Sequence, residues 1–353
     1  MVSLFGGATM AITIKDVAKK ANVSPSTVSR VISDSPRISE QTKRNVRRVM
    51  EELGYHLNYN ARVLAQQKTR TIGIVMKKSS SDSLHDPFFP EVLRAISAYC
   101  NKEDYSMMLT TGESEEEIFS DVVKMVRGKR VDGIIVTYSK QDDKVIPYLM
   151  KSKIPFVLVG SPIDFAGEII YVDNDNLKAA ESATEYLINL GHQRIGYIGS
   201  DLDYEVFIAR FKGFQNALLN SDLPLVEDYM KNPKTKAEEE QVITDMMQLE
   251  NPPTALVVTD DLVALKVLQI CRAKKIEVPE ELSIVSFNNS MIAQVSSPTL
   301  TSVDTQVYQL GSEATKCLIE EIQEASAYKK SIIIPTLMKE RESCREINPS
   351  SVQ

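Results

Sequence analysis

Between residues 71 and 334, short runs rich in Val and Ile recur, and amphipathic helical stretches stand between many of them. This alternation constrains the fold more than any other feature. A strand–helix–strand order closes as a parallel sheet with helices on its faces. Strand-like runs occupy 71–76, 106–110, 133–137, 156–160, 169–172, 195–199, 255–259, 283–287 and 332–334, and helical spacing covers 91–100, 118–126, 177–190, 210–219, 262–272 and 307–321. Nine strands over roughly 280 residues fit two sheets better than one. The expected class is therefore α/β, with a two-lobed body of parallel sheets flanked by helices. No internal repeat or low-complexity segment interrupts it.

The length of 353 residues allows two domains, and 43% apolar with 25% charged residues is ordinary for a globular chain that builds its core without disulfides or metal. No run of about 18 apolar residues is present, which excludes a transmembrane helix. The start, MVSLFGGATM, lacks the cationic segment of a signal peptide and reads as an upstream start or vector scar before Met10. Cys100, Cys271, Cys317 and Cys344 are far apart, and His56, His85 and His192 are isolated. These spacings argue against a disulfide framework, a metal site or a cofactor, and fit a reducing cytosol.

Charge is divided unevenly. Residues 10–70 hold twelve Lys and Arg against five acids, a balance of +7, while the chain as a whole carries −7. A basic head on an acidic body is the signature of a polyanion-binding module, although a solvated basic face has the same charge. Within the head, Ile14, Val17, Ala18 and Ala21 recur at helical spacing, with Thr13 as cap and Asp16 in the first turn. Asn22-Val23 turns the chain. Ser24-Pro25 starts a second helix that ends before Ser33-Asp34-Ser35-Pro36. Ser39 opens a third helix, and Gly54 stops it. Three short helices with a tight first turn describe a helix-turn-helix. Its second helix turns Val28 inward and offers Ser26, Thr27, Ser29 and Arg30 outward, chemistry for phosphates and guanine edges in a major groove. Asn58 then caps a helix of two turns, too short to stand alone in water. Leu64 on it either wedges into a minor-groove base step or packs on a neighbouring domain.

In open α/β sheets, ligands bind beyond the carboxyl ends of the strands. Those ends carry Tyr138-Ser139, Gly160-Ser161, Asp173-Asn174-Asp175, Ser200-Asp201, Asp260-Asp261 and Asn288-Asn289, and Phe88-Phe89 follows the first strand. Acids, amides and an aromatic face suit a neutral sugar, whose hydroxyls need polar partners and whose C–H face needs a ring. Each has a plainer reading: Asp173 or Asp260 as a helix cap, Phe88 as core. Enzyme classes fit poorly. Gly196-Tyr197-Ile198-Gly199 is not a dinucleotide fingerprint, no phosphate loop or serine elbow occurs, and Glu115-Glu116-Glu117 reads as a solvated helix start.

The runs IKDVAKKANVSPSTVSRVI, RISEQTKRNVRRVMEELGYHLNYNARVLA and TRTIGIV resemble the lactose-repressor (LacI/GalR) family of bacterial transcription regulators. The resemblance extends from residue 12 to about 340 and implies a body like that of periplasmic sugar-binding proteins. It implies DNA contacts from Thr13, Pro25, Ser26, Thr27, Ser29, Arg30, Tyr55, Asn58, Ala61 and Leu64, the last as minor-groove lever. Pro25 departs from members with a larger polar residue there. Effector contacts are implied for Asp86, Phe88 and Phe89 in DPFFP, Arg210 in ARFKGF, Asp260 in TDD and Asn288 in SFNNS, joined by Tyr138. Asn288 replaces the common Asp. GKRVDG, VDNDN and SFNNS are most similar to the maltose-operon repressors of Gram-positive bacteria.

The implied organisation is a disordered or vector-derived tail (1–11), a helix-turn-helix head (12–57), and a hinge helix with linker (58–70). A first effector-binding and dimerisation lobe follows (71–172 plus about 302–330), then a second lobe (173–301 plus about 331–353). The expected function is a cytoplasmic, nucleoid-associated homodimeric repressor that binds palindromic double-stranded operator DNA and is released by a small sugar, maltose or a maltodextrin. It is not an enzyme and has no membrane partner. The alternatives are a regulator dependent on a corepressor or a phosphoprotein, and a sugar sensor without DNA activity.

Overall fold

The computed structural model describes residues 12–55, 68–76, 85–325 and 328–347. The chain divides into two compact units, Met1–Thr69 and Arg70–Gln353. The expected tail and the hinge positions Asn58, Ala61 and Leu64 lie outside the described residues.

The first unit holds α1 (Ile14–Ala21), α2 (Pro25–Ile32) and α3 (Glu40–Leu53). Their ends are those the cap residues dictate. The Asp16 carboxylate accepts the Thr13 N–H at 2.8 Å and its hydroxyl at 2.7 Å. The Ser24 and Ser39 hydroxyls accept Thr27 N–H and Thr42 N–H. Asn22 and Gly54 end α1 and α3 in the left-handed region. Val17, Ala18, Val28, Val31, Val46 and Val49 are buried between the helices, with Tyr55 packed against them.

The second unit has two six-stranded sheets. The first is built from β1 (Thr71–Val75), β2 (Ser106–Leu109), β3 (Gly133–Val136), β4 (Phe156–Val159) and β5 (Ile170–Asp173), with α4 (Phe88–Lys102), α5 (Glu115–Arg127) and α6 (Val145–Ser152) between them. The chain then crosses to α7 (Asn176–Asn189), β6 (Ile195–Ile198), α8 (Glu205–Asn220), β7 (Met230–Lys231) and α9 (Lys236–Met246). It continues through β8 (Ala255–Val258), α10 (Asp261–Lys274), β9 (Ser283–Phe287), α11 (Met291–Val295) and β10 (Thr301–Asp304). It returns for α12 (Val307–Gln323) and β11 (Ser331–Ile333), and crosses again to β12 (Leu337–Lys339). The strand orders are β11-β5-β4-β3-β1-β2 and β12-β10-β9-β8-β6-β7, and all ladders are parallel except β10–β12.

Helices cover both faces of each sheet, so the central strands are buried on both sides and read as continuous apolar runs. One face of the first sheet packs on α4 and α12, the other on α5 and α6. In the second sheet, α7 and α8 cover one face, and α9 and α10 the other. Gly213 sets the distance between α7 and α8: a Cβ there would lie 2.1 Å from Leu177 O.

Two expected lobe boundaries are corrected by strand pairing. Residues 302–304 belong to β10, which pairs with β9 in the second sheet, and 331–333 form β11, which pairs with β5 in the first. The crossings therefore fall after Asp173, Asp304 and Ile333. One buried amide holds all three: Asn174 Nδ2 donates to Thr305 O at 3.1 Å and to Ile334 O at 2.9 Å.

Candidate functional site

Two surfaces matter, one on each unit. On α2, Val28 and Val31 face the head core, leaving Pro25, Ser26 and Arg30 exposed and Thr27 and Ser29 half-buried. The Ser24 hydroxyl lies 2.8 Å from Ser26 Oγ and 2.9 Å from Thr27 Oγ1, so both hydroxyls share the cap that starts the helix. Thr13 is exposed at the start of α1, and Tyr55 is half-buried after α3. Arg30 makes no side-chain hydrogen bond or ion pair among the described residues, as do Lys15, Lys19, Arg37 and Arg44. The other cations of α3 are committed within the head. Lys43 bridges Asp34 at 3.1 Å and Glu40 at 3.0 Å, Arg47 meets Asp34 at 2.8 Å, and Arg48 pairs with Glu52. Lys43 and Arg47 beside Asp34 hold its carboxyl below the usual range.

On the second unit, a cleft between the two lobes leaves about 120 Å³ open to the centres of water-sized spheres, within about 810 Å³ of non-atom space that includes solvent at its mouth. All seven residues singled out from the sequence line it: Asp86, Phe88, Phe89, Tyr138, Arg210, Asp260 and Asn288. Arg210 is the most constrained. It is 5% exposed, donates from Nε to Asn176 Oδ1 at 3.0 Å and from Nη1 to Thr259 O at 2.7 Å, and stacks 4.3 Å over the Phe287 ring. Burial pulls its pKa down, against the pull of Tyr197, Asp260 and Asp173. An arginine in such a site stays protonated. Asn176 Nδ2 donates to Asp173 Oδ1 at 3.1 Å, and Ser161 Oγ to Asp173 Oδ2 at 2.8 Å. A relay of Asp173, Asn176 and Arg210 thus fixes the guanidinium. Burial raises the Asp173 pKa.

The plainer readings apply in part. Asp260 caps α10, accepting Val263 N–H at 2.8 Å, and lines the cleft as well. Asp173 caps nothing; Asp175 caps α7 through Lys178 N–H. Phe89 is core and is only 7% exposed, and Phe88 packs edge-on against it at 5.4 Å. Asp86 accepts Phe88 N–H at 3.0 Å, which turns the chain into α4. Asn288 takes φ 93°, and its Oδ1 accepts the Thr305 hydroxyl at 3.1 Å. Tyr138 donates to Asp143 Oδ1 at 3.3 Å and meets Tyr204 edge-on at 6.4 Å.

Among the contributors to the cleft that sequence reasoning missed are Asn176, Tyr204, Glu205 and Phe207. Tyr204 belongs to a seam between the lobes, where Lys140 and Tyr204 form an antiparallel bridge. Gln141 N–H donates to Asp203 O at 2.8 Å, and Glu205 N–H to Ser139 O at 3.1 Å. Glu205 has its carboxyl pushed up to about 7 by burial and then by Asp173. Four carboxyls and one guanidinium line the cleft, with Phe88, Tyr138, Tyr204 and Phe207 as aromatic faces. No group of side chains with metal-binding geometry occurs among the described residues, and no helix among them is long and apolar enough to cross a membrane.

Residues 13–58 match the family model for bacterial regulatory proteins of the lacI family, and residues 184–344 match that of the periplasmic binding protein-like domain. The HTH-type transcriptional regulator MalR of Staphylococcus xylosus is 36% identical over 336 residues, 95% of this chain and 99% of the relative. Among solved structures, a complex of the transcriptional regulator CelR with cellobiose superposes with a TM-score of 0.74 at 27% identity, covering 94% of this chain and 99% of that one. A structure described as a probable maltose operon transcriptional repressor, MalR, of Staphylococcus aureus gives 0.71 at 27% identity, covering 78% and 98%.

Proposed function

Because the chain belongs to the lacI family of bacterial regulatory proteins, we propose that it represses a sugar-utilisation operon and is released from its operator by maltose or a short maltodextrin. The observation that carries this reading is the cleft. Buried Arg210 and the Asp173–Asn176 relay line the same cleft as the aromatic rings, with side chains from both lobes. A ligand held by both lobes biases the angle between them only through a difference in affinity for the two geometries. That difference is the coupling between sugar and DNA. The relative described as a probable maltose operon repressor and the cellobiose-bound relative support a disaccharide.

On the DNA side, α2 reads base edges in a major groove, with Arg30 as its principal contact and the uncommitted Lys15, Lys19, Arg37 and Arg44 as phosphate contacts. Two copies of the chain match the two halves of a palindromic operator. The protein works in the cytoplasm, and its cleft binds sugar without altering it. A thermal-unfolding screen over neutral mono- and disaccharides tests the sugar assignment, since a ligand that binds only the folded state raises the midpoint with concentration. Maltose or maltotriose is expected to do so. No shift with any sugar overturns the assignment, and a sugar that tightens operator binding installs a corepressor mechanism instead.

A further inference from the structure

Glu205 stands where the seam between the lobes meets the cleft. Its backbone N–H is held by Ser139 O of the opposite lobe at 3.1 Å, and the residue lines the cleft wall. Its carboxyl makes no hydrogen bond or ion pair among the described residues. A half-buried carboxyl without a protein partner is costly unless water or a ligand reaches it. Three further carboxyls share the cleft, against the single cation Arg210. Two of that cation's five donors, on Nε and Nη1, are already committed to Asn176 and Thr259, which leaves it less to offer an added phosphate than a free guanidinium has.

Resting on the sugar reading above, we propose that Glu205 is the specificity-determining residue of the cleft, accepting hydroxyls from a neutral sugar and rejecting the phosphorylated form of the same sugar. Residues 203–205 are pinned to 139–141 of the opposite lobe, which sets where the Glu205 carboxyl stands in the cleft. The charge at Glu205 therefore joins ligand choice to lobe geometry in one residue.

The test is isothermal titration of the full chain with maltose and with maltose 6′-phosphate, for wild type, Glu205→Gln and Glu205→Ala. Wild type should prefer maltose by about tenfold or more, as expected from the loss of one charge-assisted hydrogen bond. Glu205→Gln keeps the shape and removes the charge, so that preference should shrink by about tenfold, and Glu205→Ala should lose maltose affinity by a similar factor. Single cooperative sugar-free unfolding transitions establish that both variants fold. Maltose binding with the same preference in wild type and Glu205→Gln overturns the assignment of Glu205 alone. Tighter binding of the phosphate ester by wild type overturns the charge argument. Binding of neither sugar by wild type overturns the sugar reading itself.

Discussion

Arg30 and Arg47 both lie on the basic head, yet their surroundings separate them. Arg30 is exposed and uncommitted, while Arg47 is bonded to Asp34 at 2.8 Å. Arg30→Ala is expected to cost about 1–3 kcal/mol of operator affinity and to relax discrimination at one base pair in each half-site. Titration against single-base operator variants checks this, and a uniform loss across all variants contradicts it. Arg47→Ala should instead cost the head no more than about 1 kcal/mol of stability, with little change in discrimination. Glu205 gives a pH signature. Its folded pKa of about 7 lies above its ordinary 4.5, with Asp173, Lys212 and Arg210 as its charged neighbours. The folded state therefore binds more protons between those values, and stability is lost as pH rises through them. Wild type measured against Glu205→Gln should lose relative stability from pH 4.5 to 8 in chemical denaturation, and a flat difference would contradict the burial of the carboxyl. This residue was illegible in the sequence because an acid in the first turn of a helix is ordinarily a complement to the helix dipole. Only burial beside the charge of Asp173 and the backbone bond to Ser139 distinguish it from Glu115–Glu117, which likewise occupy a first turn.

At the scale of elements, hydrophobic periodicity located the helices of the head and the long strands, because those segments carry their caps and apolar stripes locally. It did not reveal β7, β10 or β12. Met230–Lys231 is too short to show a period, Leu337–Lys339 is an edge, and Thr301–Asp304 buries hydroxyls that satisfy themselves on neighbours. Ser302 Oγ, for example, donates to Asp261 Oδ1 at 2.8 Å. A strand made of TSVD has no apolar signature, and missing it displaced the lobe boundaries. The crossings it helps define meet at Asn174. Asn174→Ala leaves Thr305 O and Ile334 O without their shared donor, and should cost about 1–3 kcal/mol of unfolding free energy. Denaturant titration checks this, and a neutral result would mean that water replaces the amide. Gly213→Ala should cost a further sort of strain, about 1–3 kcal/mol or more, because a methyl group meets the Leu177 carbonyl and drives α8 from α7. Since Arg210 rides on α8 one turn earlier, sugar affinity should fall with it.

For the whole molecule, the proposed coupling runs from a cleft in one unit to a DNA-reading surface on the other through the geometry of the two lobes. Both lobes contribute to the cleft: Asp86, Phe88 and Tyr138 from the first, Arg210 and Asp260 from the second. Phe88, Tyr138 and Asp260 were legible because they follow the carboxyl ends of strands, where open α/β sheets place their ligands, while Asp86 and Arg210, the latter inside α8, came only from the resemblance to the lactose-repressor family. What it could not supply was closure, since the seam of 139–141 with 203–205 is made by backbone groups that any residue carries. In that coupling sugar in the cleft controls DNA binding, and Arg210 is its most specific handle. The most direct measurement is operator affinity with and without saturating maltose, at one fixed salt concentration, for wild type and Arg210→Ala. Wild type should release operator in maltose, and Arg210→Ala should keep near-wild-type affinity in both conditions as a permanently repressing variant. Release of Arg210→Ala at the wild-type maltose concentration, or tighter operator binding by wild type in maltose, would contradict that coupling.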